Sequence, residues 1–133
     1  MAGYSPKPLL QKLGIKSGIK ILVINAPEQY WKDLGPLPTG VEKSEKLADF
    51  IHFFSKDKTE YQKRLPEFKK RLKPTGMLWV SWPKKASKVA TNLDEKEVRD
   101  FALKNGLVDI KVCAVDETWS GLKLVIPVKD RKK

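Results

Sequence analysis

Apolar positions in this chain switch between two periods, and the switches mark out its elements. Ile19-Lys20-Ile21-Leu22-Val23-Ile24 is β-branched and nearly continuous, so it predicts a central parallel strand covered on both faces. The run ends at Asn25-Ala26-Pro27, where Pro27 suits the first turn of a helix reaching about Leu34, with Asn25 as its cap. Asp49-Phe50-Ile51-His52-Phe53-Phe54 predicts the next strong strand. Beyond it, Tyr61, Leu65, Phe68 and Leu72 are spaced four, three and four residues apart, which places them on one helical face. Pro66 lies inside that stripe and predicts either two helical pieces or a kink. Pro74-Thr75-Gly76 then stops the helix, and Met77 to Trp82 predicts a third buried strand, followed by a polar, basic loop.

The weaker patterns complete the order. Pro8 to Leu13 predicts a short helix, Gly35 to Gly40 a loop, and Val41 to Ser44 an edge strand. Asn92 or Asp94 can cap a helix whose inner face carries Val98, Phe101 and Ala102 and which Asn105-Gly106 closes. Leu107 to Val115 and Leu122 to Val128 are β-rich, and the connection Asp116 to Gly121 is too short for a helical crossover. That pair must therefore be antiparallel. The sum is one α/β domain over 1–133, a three-layer Rossmann-like sandwich with a C-terminal antiparallel β-hairpin. Residues 1–18 form an N-terminal helical extension and 129–133 a basic tail. Its topology resembles the methyltransferase variant of the Rossmann fold, with one peripheral strand–helix unit missing.

Composition narrows the setting. A chain of 133 residues with 41% hydrophobic content buries a real core, and no stretch approaches the roughly 20 apolar residues of a membrane span. Pro6, Pro8, Gln11 and Lys12 interrupt any signal-like apolar region. The lone Cys113 excludes an internal disulfide, so a cytoplasmic, reducing setting is expected, with no membrane partner. Net charge is 27 − 16 = +11. That is a possible footprint for nucleic acid, but the lysines are spread over helices, loops and tail, so this partner is not favoured.

Four segments carry a closer resemblance. Asn25-Ala26-Pro27, Leu34-Gly35-Pro36-Leu37-Pro38, Gly76 to Ser87 and Val112 to Lys123 resemble the bacterial domain-of-unknown-function 3052 family over nearly the whole chain. The resemblance implies a small, soluble bacterial protein with no assigned activity.

Candidate chemistry gathers after the strands, where open α/β sheets bind ligands. A dinucleotide or S-adenosylmethionine site normally has a glycine-rich turn there, yet this chain has no glycine between Gly18 and Gly35. Glu42 and Glu45 are poor substitutes for a ribose-holding carboxylate. Ser81-Trp82-Pro83-Lys84-Lys85 ends another strand, and Trp119 sits in the hairpin connection. Lys84 and Lys85 would supply charge, Trp82 and Trp119 stacking, and Asn25 and Ser81 hydrogen bonds, to a small anionic, aromatic ligand. Asp116 and Glu117 diverge if on a strand and are read as turn residues. His52, flanked by Phe50 and Phe54 on its face, reads as a satisfied buried histidine, and Cys113 as a packing residue. One His and one Cys make no zinc site. The expectation is a binding or accessory module with a degenerate cofactor site, no resident cofactor or metal, and a monomeric or weakly dimeric state. The alternatives are an S-adenosylmethionine-dependent methyltransferase and a nucleic-acid-binding protein.

Overall fold

The computed structural model describes residues 8–44 and 46–131. The expectations for residues 1–7, for Glu45 and for the tail residues Lys132 and Lys133 therefore lie outside the described residues. The chain runs α1 (Leu9–Leu13), β1 (Lys20–Ile24), α2 (Gln29–Leu34), β2 (Glu42–Lys43), β3 (Ala48–Phe54), α3 (Lys58–Arg71), β4 (Leu72–Pro83), α4 (Glu95–Lys104), β5 (Val108–Ala114) and β6 (Trp119–Val125). All six strands join one sheet in the order β2-β1-β3-β4-β6-β5. β2, β1, β3 and β4 pair in parallel, while β6 is antiparallel to both β4 and β5. Short apolar strands alternating with helices force this outcome: parallel neighbours need crossovers, and both sheet faces must then be covered.

Two cores result, one per face. Ile51, Phe53, Leu78, Val80, Trp82, Leu122 and Leu124 meet Tyr61, Leu65 and Phe68 of α3 and Val98 and Ala102 of α4. Ile21, Phe50, Phe54 and Trp79 meet Leu9 and Leu13 of α1 and Tyr30 and Leu34 of α2. Alternation along each strand sends successive residues to opposite cores. The Trp79 indole N–H donates to the Leu13 carbonyl (3.0 Å), and the Lys12 ammonium to the Ala114 carbonyl (2.8 Å), so α1 is fastened to the sheet at two points.

The structure departs from the sequence reading at several places. α3 is a single element through Pro66 and not two pieces; Tyr61, Leu65 and Phe68 keep the expected buried face, while Leu72 falls in β4. The helix ends at Arg71, and the chain passes directly into β4, so Pro74-Thr75-Gly76 is not a helix exit. These residues lie in an irregular stretch of strand where Ala48 to Phe50 of β3 spans Leu72 to Met77 of β4. Gly76 is needed for space: a Cβ there would sit 2.8 Å from the Asp49 carbonyl oxygen. β6 starts three residues earlier than expected, so Trp119, Ser120 and Gly121 belong to the strand. The turn before it is closed by Asp116, whose carboxylate accepts from the Thr118 and Trp119 N–H groups (2.8 and 2.7 Å). Asp94, not Asn92, caps α4 through the Glu97 N–H (2.8 Å); Asn92 instead accepts from the Lys58 N–H at the start of α3 (2.6 Å).

Candidate functional site at the carboxyl ends of the parallel strands

Chain order places β2 on one side of β1 and β3 on the other, so the strand order reverses between the parallel neighbours β1 and β3. Crossovers diverge at such a point and leave a crevice beyond the carboxyl ends of the two strands. Three polar side chains meet there. Asn25 follows β1, Ser55 follows β3, and Glu60 lies in the first turn of α3. The Asn25 amide donates to the Phe54 carbonyl and to one oxygen of Glu60 (both 3.3 Å). The Ser55 hydroxyl holds the other Glu60 oxygen at 2.7 Å. Asn25 is exposed, Glu60 half-buried and Ser55 buried, so the cluster opens to solvent on one side only.

Asn25 does not cap α2; Glu28 occupies that position and makes no side-chain cap bond. Its backbone has φ +63°, the left-handed region that costs most residues roughly 1–2 kcal/mol and that Asn tolerates better than any side chain but glycine's absence of one. The turn after β1 thus takes, at Asn25, a backbone conformation that a glycine ordinarily supplies.

A notch of about 280 Å³ opens two residues before Asn25, lined by Ile21, Leu22, Val23, Trp31, Lys43 and Ser44. It exists because β2 pairs through two residues only and leaves the rest of β1 uncovered on that side. Trp31 is largely exposed for its type, and the Lys43 ammonium lies 5.5 Å from its ring centroid. Of the carboxylates suggested for a ribose, Glu42 is engaged by Lys20. The volume suits one ring system rather than an entire dinucleotide, since ligand clefts start at roughly 300 Å³.

The other sequence candidates separate. Trp82 is 5% exposed and Ser81 wholly buried, so neither offers a surface to a ligand. Trp82 pairs with Ser120 and Pro83 with Trp119, a one-residue offset that sends the two indoles to opposite faces of the sheet. Trp82 packs in the core beneath α3 and α4. Trp119 is half-buried on the other side, edge-on to Phe54 with centroids 5.2 Å apart. They cannot stack on one base. Lys84 is half-buried, and its backbone N–H is tied to the Thr118 carbonyl (2.8 Å); Lys85 is exposed at the start of a short 3₁₀ turn, Lys85–Ser87. Ser55 and Glu60 escaped the sequence reading. Ser55 alone left a trace, as the polar residue that ends the run Phe50 to Phe54.

His52 is buried and satisfied, as its neighbours on the strand imply. Its ring nitrogens meet the Tyr30 hydroxyl (2.9 Å) and the Ser81 hydroxyl (2.7 Å). Burial depresses its pKa to about 3, and burial pushes the Tyr30 phenol up, so both groups are neutral at pH 7. No carboxylate joins this row, and it does not form a nucleophile-activating triad. Cys113 is half-buried and its thiol pKa is raised, chiefly by burial, against the opposing pull of Lys12 and Lys111; the protonated form is a poor nucleophile. Among the described residues no group of three or more His, Cys, Asp or Glu side chains gathers to hold a metal ion. No helix among them is long and apolar enough to cross a membrane.

No family profile and no curated protein matches the sequence. Solved structures do share its fold. A S-adenosylmethionine-dependent methyltransferase from Aquifex aeolicus is 19% identical with a TM-score of 0.57, over 94% of this chain and 91% of that one. The magnesium protoporphyrin IX methyltransferase of Synechocystis, solved with bound S-adenosylhomocysteine, is 10% identical with a TM-score of 0.58, over 90% and 78%. A tRNA methyltransferase of B. subtilis is 14% identical with a TM-score of 0.55, over 95% and 68%. Identities this low carry the fold, which is the Rossmann-like methyltransferase fold. They also overturn the expectation of an accessory module with a degenerate cofactor site: the proteins built this way favour the methyltransferase alternative.

Proposed function

We propose that this chain is an S-adenosylmethionine-dependent methyltransferase whose cofactor binds across the carboxyl ends of β1 and β3. The observation that carries the reading is the left-handed Asn25 at the reversal point of a methyltransferase-like sheet. The residues present fit such a ligand. The Phe54 carbonyl and the Glu60 carboxylate both accept from one neutral amide, and an ammonium group brings more donors and a full charge to the same acceptors. Trp31, beside the notch at β1, offers an aromatic face to a base, and Lys43 can yield it. When bound, the cofactor supplies an electrophilic methyl group on a sulfonium sulfur.

The chain's own residues have separate duties in this reading. Glu60 holds the positive end of the ligand, and Ser55 fixes the Glu60 rotamer by occupying its other oxygen. Asn25 sets the path of the turn and gives way to the incoming donor. A cytoplasmic location is proposed with it, since the single thiol has no partner for a disulfide. Titration calorimetry with S-adenosylmethionine tests the reading: binding at micromolar to millimolar ligand is expected, and no heat at millimolar ligand ends it. Membership of the domain-of-unknown-function 3052 family, proposed on the four segments above, would extend the reading to its members.

A further inference from the structure

Beyond the carboxyl ends of β3 and β4 the surface changes character. From Phe68 to Leu93 the chain holds Lys69, Lys70, Arg71, Lys73, Lys84, Lys85 and Lys88, and no carboxylate. The part of this stretch that reaches the site end is the loop after Pro83. It is held in place without flexible padding. The Ser87 hydroxyl donates to the Lys84 carbonyl (2.6 Å) and accepts from the Val89 N–H (3.2 Å), while Lys88 takes a left-handed backbone at φ +63°. Thr91 and Asn92 then fasten the loop to the Lys56 carbonyl (2.8 and 3.3 Å). The backbone of Lys56, two residues past β3, therefore lies under the same loop that carries Lys85 and Lys88.

Lys56, Lys85 and Lys88 are all exposed, and none enters an ion pair among the described residues. Lys58 pairs with Glu97, Lys73 with Asp49, Lys96 with Asp100, and Arg99 with Glu95 and Asp109, while other exposed lysines, among them Lys63, Lys70 and Lys104, enter no ion pair among the described residues. Three exposed lysines thus gather on one hydrogen-bonded loop and its anchor at the site end, and the loop itself, from Lys84 to Leu93, contains no carboxylate. No large exposed apolar side chain lies between residues 84 and 92. A protein partner needs a buried apolar anchor at the centre of its contact, whereas a phosphodiester backbone needs cations alone and gains by releasing its counterions.

We infer that the methyl acceptor is a nucleic acid, gripped through its phosphates by Lys56, Lys85 and Lys88 at the rim of the site. This deepens the methyltransferase reading and rests on it for the word acceptor, but binding itself is measurable without any methyl transfer. The lysines position the strand; the acceptor base would be presented to the crevice between β1 and β3.

The test is fluorescence anisotropy with a labelled RNA hairpin and, in parallel, a DNA duplex of matching sequence, from 50 to 200 mM salt. Three phosphate contacts predict that affinity falls about 40-fold over that range. The variant K56A/K85A/K88A should bind at least tenfold more weakly at 50 mM salt, with a salt slope shallower by about three. The variant K70A/K104A/K129A, equal in net charge but altered at other exposed lysines, should bind within about threefold of the parent. Preference for the hairpin assigns RNA, preference for the duplex assigns DNA, and either supports the rim. No binding at 50 mM salt, equal binding by the rim variant, or equal loss in the two triple variants overturns it. Calorimetry with S-adenosylmethionine on the rim variant separates the two readings: heat that persists there while nucleic-acid binding is lost upholds the rim, and absence of heat in both proteins removes the cofactor reading alone.

Discussion

Two small polar clusters share β3, one lying on the sheet and the other beyond the strand ends, and they are built to opposite ends. Tyr30, His52 and Ser81 form a row wholly inside the core, each ring nitrogen of His52 facing one hydroxyl. Asn25, Ser55 and Glu60 form the other at the strand ends, joined by bonds of 2.7 to 3.3 Å, with Asn25 in water. The first closes on itself: no described buried side-chain polar atom lacks a partner. It specifies the packing of α2 against the sheet and has nothing to give a ligand. In the second, the Phe54 carbonyl and one Glu60 oxygen accept from the Asn25 amide at a long 3.3 Å, and an outside donor can compete for them. What separates structure from function here is spare hydrogen-bonding capacity combined with access, and residue type is a poor guide to it.

The largest effect expected is on the closed row. His52→Ala removes a ring from a fully buried site and orphans two hydroxyls, which should lower stability by about 3–5 kcal/mol in urea unfolding. A loss under 1 kcal/mol would show that the row is not the structural fixture described. Next is acid. The folded pKa of His52, about 3, lies below its unfolded value of 6.5, so the native state rejects a proton that the unfolded chain takes. That contribution is complete above pH 6.5 and is lost as pH falls toward 3, at about 1.4 kcal/mol per pH unit. Between pH 6 and 5, where carboxylates stay ionised, the urea midpoint should fall with pH, and the slope should vanish in a His52→Phe variant that still folds.

The open cluster should behave in the reverse way. Glu60→Gln is expected to change stability by less than about 1 kcal/mol, because the half-buried carboxylate is replaced by an isostere that keeps the Ser55 contact. The same change should weaken S-adenosylmethionine about tenfold or more in calorimetry, through loss of a charged acceptor. Equal binding by parent and variant would take Glu60 out of the site. The smallest effects belong to Asn25. Glycine there should be neutral within about 1 kcal/mol, whereas Asn25→Ala should cost about 1 kcal/mol, since only the alanine is strained at φ +63°.

The sequence yields these two clusters unequally. His52 is legible because strict alternation over Phe50 to Phe54 fixes its face, and its burial follows from its neighbours. The parallel strands, the α3 stripe and the closing hairpin are legible for the same reason: period is a local property of the chain. The Trp82–Trp119 pairing failed because facing depends on the β4–β6 register, which no single strand contains. Pro66 leaves α3 continuous because the face packed against the sheet outweighs one lost backbone bond. Glu60 was invisible because a glutamate in a first helical turn is ordinarily a favourable charge near the helix dipole, and only the approach of β1 turns it toward Asn25.

The brevity of β2 has one more consequence. Glu42 and Ser44 donate to the Ile19 and Ile21 carbonyls, so by alternation the Val23 peptide faces the same side, with no strand opposite it. Its neighbours Leu22 and Ile24 turn toward β3. In deuterium labelling, Val23 should therefore take up solvent isotope well ahead of both, although all three sit in the middle of the fold. A ligand seated in the notch beside it would slow that one amide first, giving a reporter of occupancy at single-residue grain.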